Sequence, residues 1–253
     1  MSRLLALAFA LLLAACGNGD DNRVQGWVEA DLVFVGPDEM GRVETLAVRE
    51  GDTVAASAPL FTVDDELQRA DLQMQEAAVT NAQQAYDRAV TLLKTSAGTQ
   101  KALEDAEAAL RTAQARLNSS QTRLARRKVA APVTGTVQQV YFRPGELVPA
   151  GRPVVSLLPP GNIKLRFFVP EATLAKIALG DAVLVTCDGC KPITAKVTFL
   201  ARTAEYTPPV IYSLDERTKL VFMVEARTDT PEGLRVGQPV TVALPAAAAE
   251  AKK

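Results

Sequence analysis

The sequence predicts a modular chain of mixed α/β class: a small β-sandwich split by an antiparallel α-helical coiled-coil hairpin, followed by a small β-barrel domain. Three observations predict it. A β-like motif occurs twice at a constant offset of 94 residues. Between the copies, residues 64–128 show heptad-like apolar spacing and almost no Gly or Pro. After the second copy come several short segments rich in β-branched and aromatic residues, separated by turn formers.

The N-terminal element comes first. Met1-Ser2-Arg3 is followed by an apolar run from Leu4 to Ala15. A positive start and an apolar run of that length have the form of a secretory signal over residues 1–15. The run is too short to span a bilayer, which takes about 20 apolar residues. Leu13-Ala14-Ala15-Cys16 resembles the lipobox of bacterial lipoproteins, and the resemblance implies that Cys16 is acylated and heads a lipidated linker, residues 16–25. Acyl chains hold a protein to a membrane surface with about 0.8 kcal/mol per buried CH₂, so the expectation is anchoring, not spanning. An ordinary cleaved signal with an incidental Cys is the plainer alternative. Gly17 stands where lipoproteins kept in the inner membrane often carry Asp.

The repeat is ungapped. Gly41, Val43, Gly51, Val54 and Pro59 match Gly135, Val137, Gly145, Val148 and Pro153. Each copy alternates apolar and polar residues, as half-buried strands do, and its second Gly falls where a turn is needed. Neither unit can bury a core alone, so the two are expected to pack against each other, with bounds 26–63 and 129–160. These halves resemble those of a lipoyl/biotinyl domain. In carriers of that fold the joining hairpin bears a modified lysine, but here neither Met-Lys-Met nor Asp-Lys-Ala stands at a tight turn. No covalent cofactor is therefore expected.

The insert, residues 64–128, predicts two helices. No Gly or Pro occurs from Asp64 to Lys94, and helix-compatible Ala, Gln, Glu, Leu and Arg dominate. Ala78, Ala82, Ala85, Ala89 and Leu92 follow a 4-3-4-3 spacing. After Thr95-Ser96-Ala97-Gly98, the second arm offers Leu103, Ala106, Leu110, Ala113, Leu117, Ser120 and Leu124. An average of 3.5 is the coiled-coil period, and the short connection forces antiparallel packing. About 30 residues at 1.5 Å each make an arm roughly 45 Å long. One narrow apolar stripe per helix argues against a bundle core and for a solvated rod. A rod of that kind serves reach or contact, so its tip is the place to look for a partner site.

At that tip, Arg88, Leu92 and Thr99 resemble the tip motif of adaptors that dock onto TolC-type outer-membrane channels. The resemblance implies that Arg88 and the Thr99 hydroxyl hydrogen-bond with channel loops while Leu92 packs into a groove. Thr99 replaces the usual Ser. The bland alternative leaves Arg88 solvated and Leu92 closing the coil.

The last region, 161–245, offers strands at 164–169, 182–186, 195–200, 220–225 and 239–244, with one short helix from Pro170 to Ile177. Short strands of this kind suggest a small barrel. Cys187-Asp188-Gly189-Cys190 contains Asp-Gly, a strong two-residue hairpin signal. The flanking cysteines would then form a hydrogen-bonded pair with Cα atoms about 5.5 Å apart, within disulfide reach. A redox-active CxxC and half a zinc site are the alternatives, but neither a thioredoxin-like context nor a second Cys pair is present. Consecutive prolines cannot serve a central strand, so Pro208 and Pro209, with Tyr206 and Tyr212, predict an exposed loop. It either faces a transporter or merely connects the barrel. Residues 246–253 read as a low-complexity, disordered tail.

Composition removes other classes. The chain has 253 residues, no His and a net charge of −1. Without His, Ser-His-Asp and Cys-His catalysis and the commonest metal ligand drop out. No basic run suggests nucleic acid, and no Gly-x-x-x-x-Gly-Lys-Ser/Thr loop suggests ATP hydrolysis. No catalytic, cofactor or metal site is expected.

The order of half-domain, hairpin, half-domain and barrel resembles the hemolysin D-type membrane fusion family over residues 24–245. Cys187-Asp-Gly-Cys190, the segment Glu205–Ser213 and Lys219–Phe222 resemble the YbhG-like adaptors of ABC exporters. The resemblance implies a non-enzymatic periplasmic adaptor, lipid-anchored by family analogy to the inner membrane. Its implied partners are an inner-membrane ABC transporter, a TolC-like outer-membrane channel and copies of itself in a ring. The same architecture serving a proton-driven (RND-type) pump, and a lipid-anchored accessory binding protein, are the alternatives.

Overall fold

The computed structural model describes residues 22–206, 220–229 and 233–245. Cys16, Pro208, Pro209 and Tyr212 lie outside the described residues, as do the signal segment and the tail. The chain divides into two units, Leu32–Pro160 and a second made of residues up to Asp31 together with those from Gly161.

In the first unit the repeat becomes a pair of interlocked sheets. The first copy forms β2 (Val33–Val35), β3 (Gly41–Leu46), β4 (Thr53–Val54) and β5 (Pro59–Val63). The second forms β6 (Lys128–Ala130), β7 (Gly135–Val140), β8 (Leu147–Val148) and β9 (Val155–Leu158). One sheet has the order β2-β9-β7-β4 and the other β6-β5-β3-β8. Exchanging each strand for its counterpart 94 residues away, later for the first copy and earlier for the second, turns one order into the other, so each sheet takes two strands from each copy. The exchange is reciprocal in detail. Gly51 N–H donates to Val137 O at 2.8 Å, and Gly145 N–H donates to Val43 O at 2.8 Å. Val43, Leu60, Val137, Val148, Val154 and Leu157 sit between the sheets with at most 1% exposure. Neither copy has a core without the other.

The helical insert leaves this sandwich as α1 (Glu66–Lys94) and returns as α2 (Gln100–Ala125). Along α2 the half-buried and buried positions are Leu103, Ala106, Leu110, Ala113, Leu117, Ser120 and Leu124, the stripe its spacing predicts, with Glu107 half-buried beside it. Along α1 the side facing α2 is Leu72, Gln75, Val79, Ala82, Tyr86, Ala89 and Leu93. This corrects the expected stripe in part: Ala82, Ala85 and Ala89 are half-buried, whereas Ala78 and Leu92 are exposed. The large apolar members of the seam, the half-buried Leu72, Val79, Tyr86 and Leu93, recur every seventh residue. At the base, Asp71 of α1 pairs with Arg123 of α2 at 3.1 Å. Arg127, 7% exposed, donates to Met40 O at 3.1 Å and to Glu39 Oε2 at 2.9 Å. These bonds tie the returning helix to the loop before β3.

The second unit is a closed six-stranded barrel of order β1-β10-β13-β12-β11-β14. Its strands are β1 (Arg23–Ala30), β10 (Ile163–Pro170), β11 (Ala182–Thr186), β12 (Ile193–Tyr206), β13 (Leu220–Arg227) and β14 (Pro239–Ala243). Here the sequence reading needs a second correction. Residues 26–30, expected to open the sandwich, belong to the barrel: Gly26 to Ala30 pair with Phe167 to Ile163, and Arg23 to Trp27 with Ala243 to Pro239. The five later strands leave β10 and β14 with open edges, and β1 closes the gap. The expected short helix is α3, only Glu171–Leu174, after which Ile177 drops into the barrel core.

Candidate functional site

The hairpin tip is built by two end motifs. Helix α1 stops at Thr95, and Ser96 takes a left-handed φ of +58°. Ser96 N–H then donates to Leu93 O at 3.1 Å and Ala97 N–H to Leu92 O at 2.9 Å, the paired bonds of a Schellman ending. Two residues later Thr99 starts α2 as its N-cap, its Oγ accepting from Ala102 N–H at 3.1 Å. The cap uses Thr99 Oγ as an acceptor and leaves the hydroxyl proton free to donate outward.

In the last two turns of α1, before its end, Arg88 and Leu92 share one exposed face, one turn apart. They line a shallow depression with Asp87 and Thr91. Leu92 is 49% exposed, while its neighbour Leu93 turns into the seam. Arg88 makes no ion pair or hydrogen bond among the described residues. A large aliphatic side chain beside an unengaged guanidinium, at the end of a rod, has the chemistry of a contact surface. Thr99 shares the tip across the turn but not the depression.

The cysteine pair sits on the barrel. Cys187 and Cys190 are joined, with Cα atoms 5.3 Å apart, and Cys190 N–H donates to Cys187 O at 3.2 Å. The turn differs from the expected two-residue hairpin. The ladder between β11 and β12 ends at Val185 and Ile193, so the cysteines flank a β-turn inside a longer loop, with Gly189 at φ +78° in its third position. Tyr206 is the last residue of β12, where it pairs with Leu220.

Sequence reasoning missed one charged cluster. On the barrel wall, Lys164 contacts Asp31 at 2.8 Å and Glu225 at 3.0 Å. Arg166 contacts Glu29 at 2.8 Å and Glu225 at 2.9 Å, and Arg227 contacts Asp31 at 2.7 Å. Three anions meet three cations, so the cluster is neutral. The Lys164 hydrogen bond holds Asp31 below the usual carboxylate range against a smaller burial cost. Burial raises Glu225, yet hydrogen bonds from Arg166 and Lys164 outweigh it and leave that carboxyl lowered. The readable signal was the i, i+2 charge pattern Glu29-x-Asp31, Lys164-x-Arg166 and Glu225-x-Arg227, which has meaning only once β1 is placed beside β10. Among the described residues no group of three or more His, Cys, Asp or Glu is arranged to hold a metal ion. No helix among them is long and apolar enough to cross a membrane.

Known proteins share this arrangement. The family model described as RND MFP, barrel-sandwich hybrid domain, matches residues 31–158, half of the chain. A UPF0194 membrane protein from the asrC 5′ region of Acidithiobacillus ferridurans is 34% identical over 130 residues, covering 48% of this chain and 38% of the relative. The UPF0194 membrane protein YbhG of Salmonella gallinarum is 36% identical over 115 residues, covering 44% and 35%. The matches thus span little more than a third of these relatives' length. Among solved structures, a MacA–MexA chimera carrying the Pseudomonas aeruginosa MexA α-hairpin domain superposes with a TM-score of 0.72 at 21% identity, covering 87% of this chain and 76% of the chimera. The membrane fusion protein Spr0693 of Streptococcus pneumoniae gives 0.70 at 18% identity, covering 88% and 98%. These likenesses establish the fold, and with the match over residues 31–158 they lead to one conclusion: the chain belongs to the membrane fusion protein (MFP) family.

Proposed function

We propose that the chain is a periplasmic adaptor lipoprotein that links an inner-membrane ABC-type exporter to a TolC-like outer-membrane channel. On this reading it is not an enzyme. Cys16 carries the lipid anchor, the sandwich and barrel pack side by side into a ring around the export path, and the tip docks on the channel through Arg88, Leu92 and Thr99. The observation that carries the reading is the tip itself: an exposed Leu92 and an unengaged Arg88 share one depression at the end of the hairpin. Docking there would bury the Leu92 side chain and give the guanidinium carbonyl or carboxylate partners, contacts of the kind that dominate interface energetics. The Cys187–Cys190 bond fixes the β11–β12 loop, and the segment holding Pro208, Pro209 and Tyr212 faces the transporter. A second reading, in which the partner is a proton-driven RND-type pump, is favoured by the RND MFP description of the matching family model.

The test is affinity purification of the tagged full chain from cells, with membrane partners identified by mass spectrometry. A channel and an ABC permease should co-purify with the wild type. The channel should be lost, with the permease retained, on Leu92→Asp or Arg88→Asp. Recovery of an RND pump in place of the permease would select the second reading. Retention of the channel by both variants would contradict docking at the tip.

A further inference from the structure

The outer wall of the barrel carries a cavity that the adaptor role leaves unused. Along β12, Ala195 and Val197 are buried in the barrel core. Thr194 and Lys196 alternate with them, so they point outward, and both are exposed. Lys196 is the direct partner of Arg227 on β13. Like charges set opposite each other on one face destabilise a sheet, and the fold gives Lys196 nothing in return. Arg227 pairs with Asp31 at 2.7 Å and donates to Gly161 O at 3.2 Å, whereas Lys196 makes no ion pair or hydrogen bond among the described residues. A second lysine, Lys191, is exposed on the segment that leads into β12 and is likewise unengaged.

These groups share one space. Lys191, Thr194, Lys196, Arg227 and Asp229 all line a cavity of about 690 Å³. Sites for small organic ligands measure roughly 300–1,000 Å³, and a water takes only about 30 Å³, so the space suits a molecule larger than an inorganic ion. Cys190 also borders it. The Cys187–Cys190 bond closes the turn just before Lys191, so the wall that bears this lysine is set before a ligand arrives, which lowers the ordering cost of binding. Pro192 and the half-buried Ile193 give the same space an apolar side.

Charge decides the class of ligand. With Arg227 answered by Asp31, two unengaged ammonium groups stand against one carboxylate, Asp229, itself without a partner among the described residues. An ammonium meets phosphate as a point charge, while the planar fork that matches a carboxylate belongs here to an arginine already taken. A phosphate monoester brings close to two negative charges and three acceptor oxygens at neutral pH, enough for both lysines and the Thr194 hydroxyl together. We propose that this cavity binds the phosphate monoester of a small organic molecule, its phosphate on Lys191, Lys196 and Thr194 and its carbon part against Pro192 and Ile193. The site does not depend on the adaptor reading or on the partners assigned there.

Calorimetric titration of the purified full chain tests it, with glycerol 3-phosphate as one probe and vesicles of phosphatidylcholine containing phosphatidic acid as the other. Binding of the soluble ester assigns the site to soluble phosphates, and binding of the vesicles alone assigns it to a lipid headgroup. With either probe, Lys191→Gln and Lys196→Gln should each weaken binding about tenfold, the loss of one charge-assisted hydrogen bond. Asp229→Asn should strengthen it by about threefold or less, because it removes the one repelling carboxylate. Lys196→Gln relieves a like-charge pair and should not lower Tm, so its lost binding is not lost folding. Lys94→Gln, at an exposed lysine on the hairpin, should leave binding unchanged. Equal losses from Lys94→Gln and Lys196→Gln would reduce the effect to general charge attraction and overturn the site. Unchanged affinity in both cavity-lysine variants, or binding of neither probe, would overturn it as well.

Discussion

The two copies of the β repeat share one pairing scheme but differ at the points where they are held. Ser57 N–H donates to Ala131 O at 2.7 Å, and Gly151, 94 residues on, donates to Pro37 O at 2.9 Å. Both take left-handed φ values, +68° and +73°. The second copy answers that geometry with a glycine, whereas the first strains a serine into it. At the strand ends the inequality reverses. Val33 opens β2, and its counterpart Arg127 is a buried clamp on Glu39 and Met40 just where α2 re-enters the sandwich. The repeat thus keeps its strands and turns in step while its two sides serve different connections. One side follows the segment from β1, and the other receives a long helical arm that has to be fastened.

The largest effect should come from the shared core, where the copies are equal. Leu60→Ala and Leu157→Ala, one in each copy, should each cost about 2–5 kcal/mol of unfolding free energy by chemical denaturation. A loss confined to one of them would mean that the copies do not share a core. Next comes the unequal pair. Arg127→Val, which installs the residue found at Val33, strands the Met40 carbonyl and should cost about 1–3 kcal/mol, while Val33→Ala should cost less. The turn pair follows. Gly151→Ser should destabilise by about 1 kcal/mol, since a left-handed non-glycine residue pays roughly that. Ser57→Gly should stabilise by less than about 1 kcal/mol, because glycine also loosens the unfolded chain.

The smallest effects per residue belong to the barrel wall, and they concern pH. Asp31 and Glu225 are held below their ordinary values. Their contribution is complete above about pH 4, the unfolded carboxylate range, and is lost as pH falls through the lower folded values. Lys164 is raised despite burial, by hydrogen bonds from its ammonium to Asp31 and Glu225. Its contribution is complete below its unfolded value and fades only as pH rises above it. In acid titrations followed by Trp27 fluorescence, Asp31→Asn should flatten the loss of barrel stability below pH 4 by about 1 kcal/mol or less, as expected of partly exposed pairs.

The same contrast separates what the residues disclose from what they withhold. The repeat was legible because Gly51 and Gly145 each mark a turn that demands φ near +90°, and because buried valines recur at matching positions. Helix α2 was legible because a leucine returns every seventh residue from Leu103 to Leu124. Helix α1 carried the same sign in Leu72, Val79, Tyr86 and Leu93, but its many alanines offer a second, interlaced stripe that falls one residue off at Ala78, Ala85 and Leu92. The strand β1 read as part of the sandwich because it adjoins it in sequence, while the barrel edges it fills lie more than 130 residues away. The tip residues Arg88 and Leu92 were singled out by a resemblance in their spacing and by their position at the hairpin end, and both are exposed there. The barrel charge cluster and the Arg127 clamp went unseen because each depends on partners that sequence separation conceals.

Site-specific photo-crosslinking from Thr91, inside the depression formed with Asp87, Arg88 and Leu92, tests the adaptor account most directly. The account predicts a cross-link in cells to an outer-membrane channel of the TolC type, abolished by Arg88→Asp in a chain that still folds. Cross-links only to other copies of this chain, or to no envelope protein, would contradict it.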